Sequence, residues 1–417
     1  MIKSYLTLLA FWLLASQSAI AQLLSIDTCY ALAVKNYPLI KQYELIEKTR
    51  EYTISNANKA YLPQVSINVI EGYVFGGFPS LGGSGSSSSN FKFIGIGQIN
   101  QTLWDGGATK AQKKIISASS EADKAALDVQ LYDLRSRINQ LYFGILLVDE
   151  QLKQLGTQDT ILGNNINRVK DLKNNGLAYS TDLDEIKAEQ VRLRQQRIEF
   201  TYTRKGYVDM LSIFIGVEIN AQTALQKPLL SDASAEMQIN RPELSLYKSQ
   251  RSLLNEQSSM RRVALMPKLG LLGAGVLFAP GISLGPSTLN NIGVAGLNAS
   301  WSLNGLYKHS AEKQLTQQSL NMINVQEESF MFQTRLKVAQ VTANINKQKA
   351  ILAEDNKIVG LRKAIREGYQ MKYSNGVGPL IDLLNATEKE SEARAQKALH
   401  EIQLMMTLYD FKTTTGN

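Results

Sequence analysis

Two sets of landmarks recur about 200 residues apart along this chain, and the recurrence restricts its possible folds more than any local motif does. Asn36-Tyr37-Pro38-Leu39 followed by Tyr61-Leu62-Pro63-Gln64 returns as Asn240-Arg241-Pro242-Glu243 followed by Leu265-Met266-Pro267-Lys268, with the same 25-residue spacing from proline to proline. Further on, Asn174-Asn175-Gly176-Leu177 with Thr181-Asp182-Leu183 returns as Ser374-Asn375-Gly376-Val377 with Ile381-Asp382-Leu383, and Gly216 answers Gly416. A tandem duplication of one structural unit accounts for all of these matches. It gives a first repeat over 22–216, a linker over 217–239 and a second repeat over 240–417, interleaved in one body.

From Gly107 to about Leu172 there is no proline and little glycine, which predicts a helix over 107–172, about 100 Å long at 1.5 Å per residue. Leu127, Leu131, Leu134, Ile138, Leu141, Ile145, Val148, Leu152 and Leu155 alternate spacings of four and three, and after a polar Asp159 the seam resumes at Leu162, Ile166 and Val169. Such a seam requires a partner helix. Asn174-Asn175-Gly176 breaks the rod in a tip over 174–180, and Ser180 or Thr181 can cap a return helix over 181–214 with Asp182 in its first turn. That return covers only half the rod, so a helix from about Leu39 to Ala60 is expected to cover the rest. The second repeat offers the same parts: a helix over 242–263, a rod over 307–372, a tip over 374–379 and a return over 380–411.

Between short helix and rod each repeat carries a strand pair, 64–75 with 91–103 and 268–278 with 292–303, the first flanking a Gly/Ser loop over 82–89. Val65, Ile67, Val69, Tyr73 and Phe75 alternate with smaller or polar residues, and Leu297, Ala299, Trp301 and Leu303 alternate with Asn298, Ser300 and Ser302. Lengths near ten residues suit tilted membrane-spanning strands, although each segment alone also fits an ordinary hairpin packed on helices. Four strands cannot close a barrel, since the smallest useful barrels need about eight. Identical copies would have to share one, which also removes the sheet edges.

Composition narrows the function. Residues 1–21 read as a cleaved export signal, with Lys3, an apolar run from Leu6 to Ala15 and Ala19-Ile20-Ala21 before Gln22. No later stretch has the ~18 consecutive apolar residues of a spanning helix, so membrane entry would be by strands. Cys29 is the single cysteine, reads as an inert small apolar residue of the first helix, and lies too far past the cleavage point to be lipidated there. The net charge of +8 is dispersed along helical stretches, which speaks against nucleic-acid binding. His309 and His400 are the only histidines, far apart on polar helices, and Gly95-Ile96-Gly97 lacks a third glycine. The expectation is therefore no enzyme, no cofactor and no metal.

With these landmarks in place, the chain resembles the TolC family of outer-membrane efflux proteins from about Ser25 to Gly416. Leu62-Pro63 and Met266-Pro267 before the strand pairs, Leu103-Trp104-Asp105-Gly106-Gly107 at the strand-to-rod junction, Arg241-Pro242-Glu243-Leu244, and the paired Gly-Leu and Gly-Val hairpins carry the resemblance. It implies a mainly α fold with a membrane β-barrel portion: a homotrimer sharing a twelve-stranded barrel over a periplasmic tunnel of antiparallel coiled-coil helices. It also implies a periplasmic adaptor (membrane fusion protein), an inner-membrane pump, outer-membrane lipid, and exported small molecules or polypeptides as partners. By position, Asn175, Gly176, Leu177, Asn375, Gly376 and Val377 resemble adaptor-contact tips, Asp182 and Tyr373 match a closing network, and Asp382 matches an acidic ring. Two positions depart from the pattern. Gly378 stands where an arginine is expected, and Asn385 stands where the family has a second ring acid, which implies other closing contacts and weaker cation selectivity.

A carboxylate at a helix start is equally at home as a first-turn charge, and Tyr373 as a packed amphipathic side chain. The rival functional reading is a periplasmic coiled-coil adaptor or structural protein spanning the envelope without a pore, which would not need alternating strands of bilayer length.

Overall fold

The computed structural model describes residues 24–73, 75, 91–176, 179–220, 223–228, 238–280, 290–375 and 377–417. The expected export signal and the Gly/Ser loop lie outside the described residues. In the first repeat, α1 (Ile26–Asn36) is opened by Ser25, whose hydroxyl accepts the Thr28 N–H at 3.2 Å. A 3-10 turn at Pro38–Lys41, α2 (Gln42–Asn58) and a second 3-10 turn at Lys59–Tyr61 lead to β1 (Gln64–Tyr73) and β2 (Phe91–Trp104). Then come α3 (Ala108–Asn174) and α4 (Ser180–Ile215). The second repeat supplies α5 (Pro242–Val263), β3 (Lys268–Pro280), β4 (Asn290–Ser300), α6 (Asn304–Ser374) and α7 (Leu380–Thr415). The fold class is as expected, mainly helical with one antiparallel sheet.

Several boundaries differ from the expectation for local reasons. The helix expected from Leu39 to Ala60 is shortened at both ends by 3-10 turns, Pro38–Lys41 and Lys59–Tyr61. The strand expected over 292–303 stops at Ser300. There the Trp301 indole N–H turns back to the Leu265 carbonyl at 2.9 Å, and the Leu306 N–H closes a turn on the Leu303 carbonyl at 3.0 Å. Helix α6 consequently starts at Asn304 rather than 307, and α7 runs on to Thr415 rather than 411.

The residues gather into two compact units, and each unit draws on both repeats. One comprises the chain up to Ile40 with Asp128–Pro242 and Phe330–Asn417. Its core is the α3 seam: Leu131, Leu134, Ile138, Leu141, Ile145, Val148, Leu155 and Ile166 are all buried. Gly144 lets α4 close on it, since a Cβ there would stand 3.1 Å from the Tyr207 ring. The polar break at Asp159 is also a contact, accepting from Gln190 of α4 at 3.3 Å and facing Arg197 at 3.7 Å. Helix α7 meets α3 through the Phe143 and Tyr409 rings, 5.3 Å apart, and meets α6 through Val338, Val341 and Ile345 packed with Leu404, Leu408 and Phe411.

The other unit comprises Lys41–Leu127 and Glu243–Ser329, and holds the sheet. Helix α2 is tied to the start of α3 by Lys124 and Glu47 at 2.9 Å. Helix α5 is tied to the start of α6 by Arg251 with Glu327, and by Arg261 donating to the Glu312 carbonyl at 2.9 Å.

Candidate functional site

The sheet has the strand order β1-β2-β3-β4, every pair antiparallel. Its two middle strands come from different repeats, and β1 and β4 each pair on one side only among the described residues. Register assigns the two faces. Val65, Ile67 and Val69 of β1 align with Ile99, Gly97 and Gly95 of β2, those with Gly273, Gly275 and Leu277 of β3, and β4 continues the face with Ala295 and Leu297. The opposite face carries Gln64, Ser66 and Asn68 of β1 beside Asn100, Gln98 and Ile96 of β2, and Asn298 and Ser300 of β4. Between Thr102 and Trp104 the register slips by one residue, so Trp104 pairs with Leu269 and joins the first face. The edge strands bear large apolar side chains in the open, Ile67 76% and Leu297 82% exposed. Unpaired edge backbone beside such side chains can pair with further strands.

The junction from β2 into α3 is built around Asp105. This buried carboxylate accepts the Thr109 N–H at 2.6 Å, the Gly107 N–H at 2.8 Å and the Tyr61 hydroxyl at 2.8 Å. Burial pushes its pKa up, but these hydrogen bonds outweigh burial and hold it at about 2. Gly106 and Gly107 both have left-handed backbones, and a Cβ on Gly106 would stand 2.7 Å from the Met266 side chain. In the sequence this stretch stands out only as part of a family motif. The available signal was an aspartate four residues ahead of Thr109 at the mouth of a rod.

At the first tip, the Asn175 N–H donates to the Asp171 carbonyl at 3.1 Å and the Gly176 N–H to that of Lys173 at 3.0 Å, with Gly176 left-handed at φ +74°. At the second, Asn375 donates to the Met371 carbonyl at 3.1 Å, and Val377 and Gly378 share the Lys372 carbonyl at 2.9 and 3.2 Å. Leu177 and Gly376 lie outside the described residues, and of Asp182 and Tyr373 only the backbone is described. Leu183 and Leu383 are buried at matching stations. On the first turns of α7, Asp382 is half-buried and Asn385 exposed, while Val377 is 79% exposed. Further along this hairpin the buried Glu390 accepts from Arg366 at 2.8 Å and Arg394 at 2.6 Å, and the Arg366 hydrogen bond leads in lowering its pKa. This clamp is not legible in the sequence, because no fixed spacing links residues on the two helices of a hairpin.

Solved structures supply the comparison. CusC, from a study of folding and transmembrane channel formation, superposes with a TM-score of 0.65 at 14% identity, covering 94% of this chain and 91% of that one. The Campylobacter jejuni CmeC outer membrane channel gives 0.64 at 13% identity over 94% and 85%. The Vibrio cholerae outer membrane protein VceC gives 0.64 at 14% over 94% and 96%. The chain has the fold of these outer-membrane channels. The resemblance to TolC-type channels read from the sequence thus holds for the fold. No protein-family model matches the chain, and no curated protein matches it by sequence. Among the described residues no helix is long and apolar enough to cross a membrane, and no group of three or more His, Cys, Asp or Glu could hold a metal ion.

Proposed function

We propose that three copies of this chain close their sheets into one twelve-stranded barrel in an outer membrane, and that the helices form a periplasmic tunnel through which cargo leaves the cell. The observation that carries this reading is the first face of the sheet. Tyr73 and Phe93 lie toward one end of it and Trp104 at the other, with Val65, Ile67, Val69, Ile99, Leu271 and Leu297 between. Along β2, Phe93 and Trp104 are eleven positions apart. At ~3.3 Å per residue and a tilt near 45°, they would stand about 25 Å apart along a bilayer normal, the height of the apolar band between the aromatic girdles of such barrels. The open edges of β1 and β4 would then pair between copies, leaving no unsatisfied backbone in lipid.

In this reading the duct is passive and serves a tripartite efflux or type I secretion system. A pump and an adaptor in the inner membrane and periplasm supply energy and contact, the tips around Gly176 and Val377 face the adaptor, and residues 1–21 direct export. Purified in detergent and added to planar bilayers, the protein is expected to give stable single-channel currents and to migrate as a trimer. A monomer that stays soluble without detergent and conducts nothing would overturn the reading.

A further inference from the structure

All four strands meet the helices at one end of the sheet: Trp104 aligns with Leu269 and Lys268 with Ser300, and Gln64 opens β1 beside the last residues of β2. The ten residues that precede or follow each strand there hold Lys59, then Lys110, Lys113 and Lys114, then Arg261 and Arg262, and then Lys308, with Asp105 the one acid among them. In the next ten residues of each segment six cations accompany seven acids, so the excess stops there. At 1.5 Å per helical residue the basic band is about 15 Å deep. All of it falls in the compact unit that holds the sheet.

The excess is not cancelled within the chain. Both Asp105 oxygens are taken by the Thr109 and Gly107 N–H groups and the Tyr61 hydroxyl. Lys59 donates to the Asn56 side chain at 3.1 Å, Arg262 to the Ser259 hydroxyl at 2.9 Å and Arg261 to the Glu312 carbonyl at 2.9 Å, all of them uncharged acceptors. Lys114 stands 4.0 Å from Glu256. Lys59, Lys110, Lys114, Arg262 and Lys308 are exposed, and Tyr61, Trp104, Trp301 and Tyr307 stand in the open among them. Cations on long flexible stems beside exposed Tyr and Trp rings match a lipid headgroup layer, where the rings take the boundary between apolar and polar and the cations reach phosphate.

Resting on the barrel reading above, we infer that this band is a binding surface for anionic phospholipid headgroups on the tunnel side of the bilayer. Lys268 lies on the second face of the sheet, toward the duct in that reading, and does not belong to the band. From residue 22 onward Trp104 and Trp301 are the only tryptophans, so the processed protein carries its own probes at the boundary. In bilayers of phosphatidylcholine mixed with acyl-brominated phosphatidylglycerol, and in the converse mixture, quenching of tryptophan fluorescence reports which lipid sits beside the protein. Phosphatidylglycerol is expected to be favoured severalfold at low salt, and the preference should shrink toward one at about 0.5 M salt, where the Debye length is only a few ångströms. Lys110→Gln with Lys114→Gln, Arg262→Gln and Lys308→Gln should remove most of the preference, while Lys187→Gln with Arg192→Gln on α4 should not. The salt series on the wild-type protein keeps the test open if the quadruple variant fails to assemble. Equal quenching by the two brominated lipids, a preference that salt leaves unchanged, or one that the quadruple variant keeps in full would overturn the inference and leave the barrel standing. No quenching by either lipid would put both tryptophans outside the bilayer and remove the barrel reading itself, and this inference with it.

Discussion

Gly416 lies against Asn240 so closely that a Cβ on the glycine would stand 2.5 Å from the asparagine's carbonyl oxygen. The last turn of the second repeat is thereby clasped to its first residues, and the Asn240 N–H donates to the Thr415 carbonyl at 2.7 Å. Arg241 adds a hydrogen bond to the Thr413 carbonyl at 2.9 Å. Gly216 stands in the same relation to Asn36 in the first repeat, but there the obstructing atoms belong to the Asn36 side chain. Both glycines have left-handed backbones, at φ +65° and +89°. Alanine at either costs ~1–2 kcal/mol of backbone strain. Gly416→Ala must also displace backbone, whereas in Gly216→Ala a side chain can swing aside. The expected order of thermal stability is wild type, then Gly216→Ala, then Gly416→Ala, and equal midpoints for the two variants would contradict the clasp.

Asp105 gives a pH signature. Its carboxyl titrates at about 2 in the folded chain against an ordinary 3.8, so the stabilisation it supplies is complete above about pH 4 and is lost as pH falls through 2. A shift of that size corresponds to about 2 kcal/mol. Asp105→Asn should therefore be about 2 kcal/mol less stable than wild type at neutral pH, and the gap should narrow toward zero near pH 2. A gap that stays constant with pH would mean that lost packing, and not the charge, causes the deficit.

The large features were legible because each follows from chain periodicity. The seam from Leu131 to Ile166 is buried as its spacing required, and the glycine at 176 breaks the rod where the sequence placed a left-handed residue. What could not be read depends on contacts between distant segments. The start of α6 depends on Trp301 reaching the carbonyl of Leu265, and the Glu390 clamp depends on Arg366 across a hairpin. The pairing of β2 with β3, which sets both faces of the sheet, joins strands more than 160 residues apart in different repeats. Local alternation cannot encode that register. For the tip, Asp182 and Tyr373 keep only the roles that the resemblance lent them, since only their backbone is described.

Cys29 is fully buried in α1, and burial pushes its thiol up to about 12. At pH 8 the reactive thiolate would then be a fraction on the order of 10⁻⁴. Iodoacetamide should leave the folded protein unmodified and alkylate it promptly after guanidinium unfolding. Rapid modification of the folded protein would show that α1 opens, and would contradict the packed position of this thiol.

Val377 projects from the second tip with 79% of its surface exposed, next to backbone held by two hydrogen bonds to the Lys372 carbonyl. If the proposed adaptor contact holds, this side chain lies on the docking surface. Val377→Asp should abolish export in a strain that depends on this protein, while trimer yield and single-channel conductance stay at wild-type levels. Full export by that variant would remove the tip from the docking surface.

Asp382 and Asn385 are three residues apart on α7, and so share a face of its first turns. If threefold assembly gathers these turns around the tunnel entrance, Asp382 becomes a ring of carboxylates that favours cations, and Asn385 forms an uncharged ring beside it. The same carboxylate also favours its helix start by ~0.3–1 kcal/mol, so loss of stability alone would not reveal a ring. Ion preference does. Asp382→Ala should move the reversal potential in a potassium chloride gradient toward zero cation preference, and Asn385→Asp should move it the opposite way by adding charge at the neighbouring station. Reversal potentials unchanged in both variants would leave Asp382 as a first-turn helix charge and nothing more.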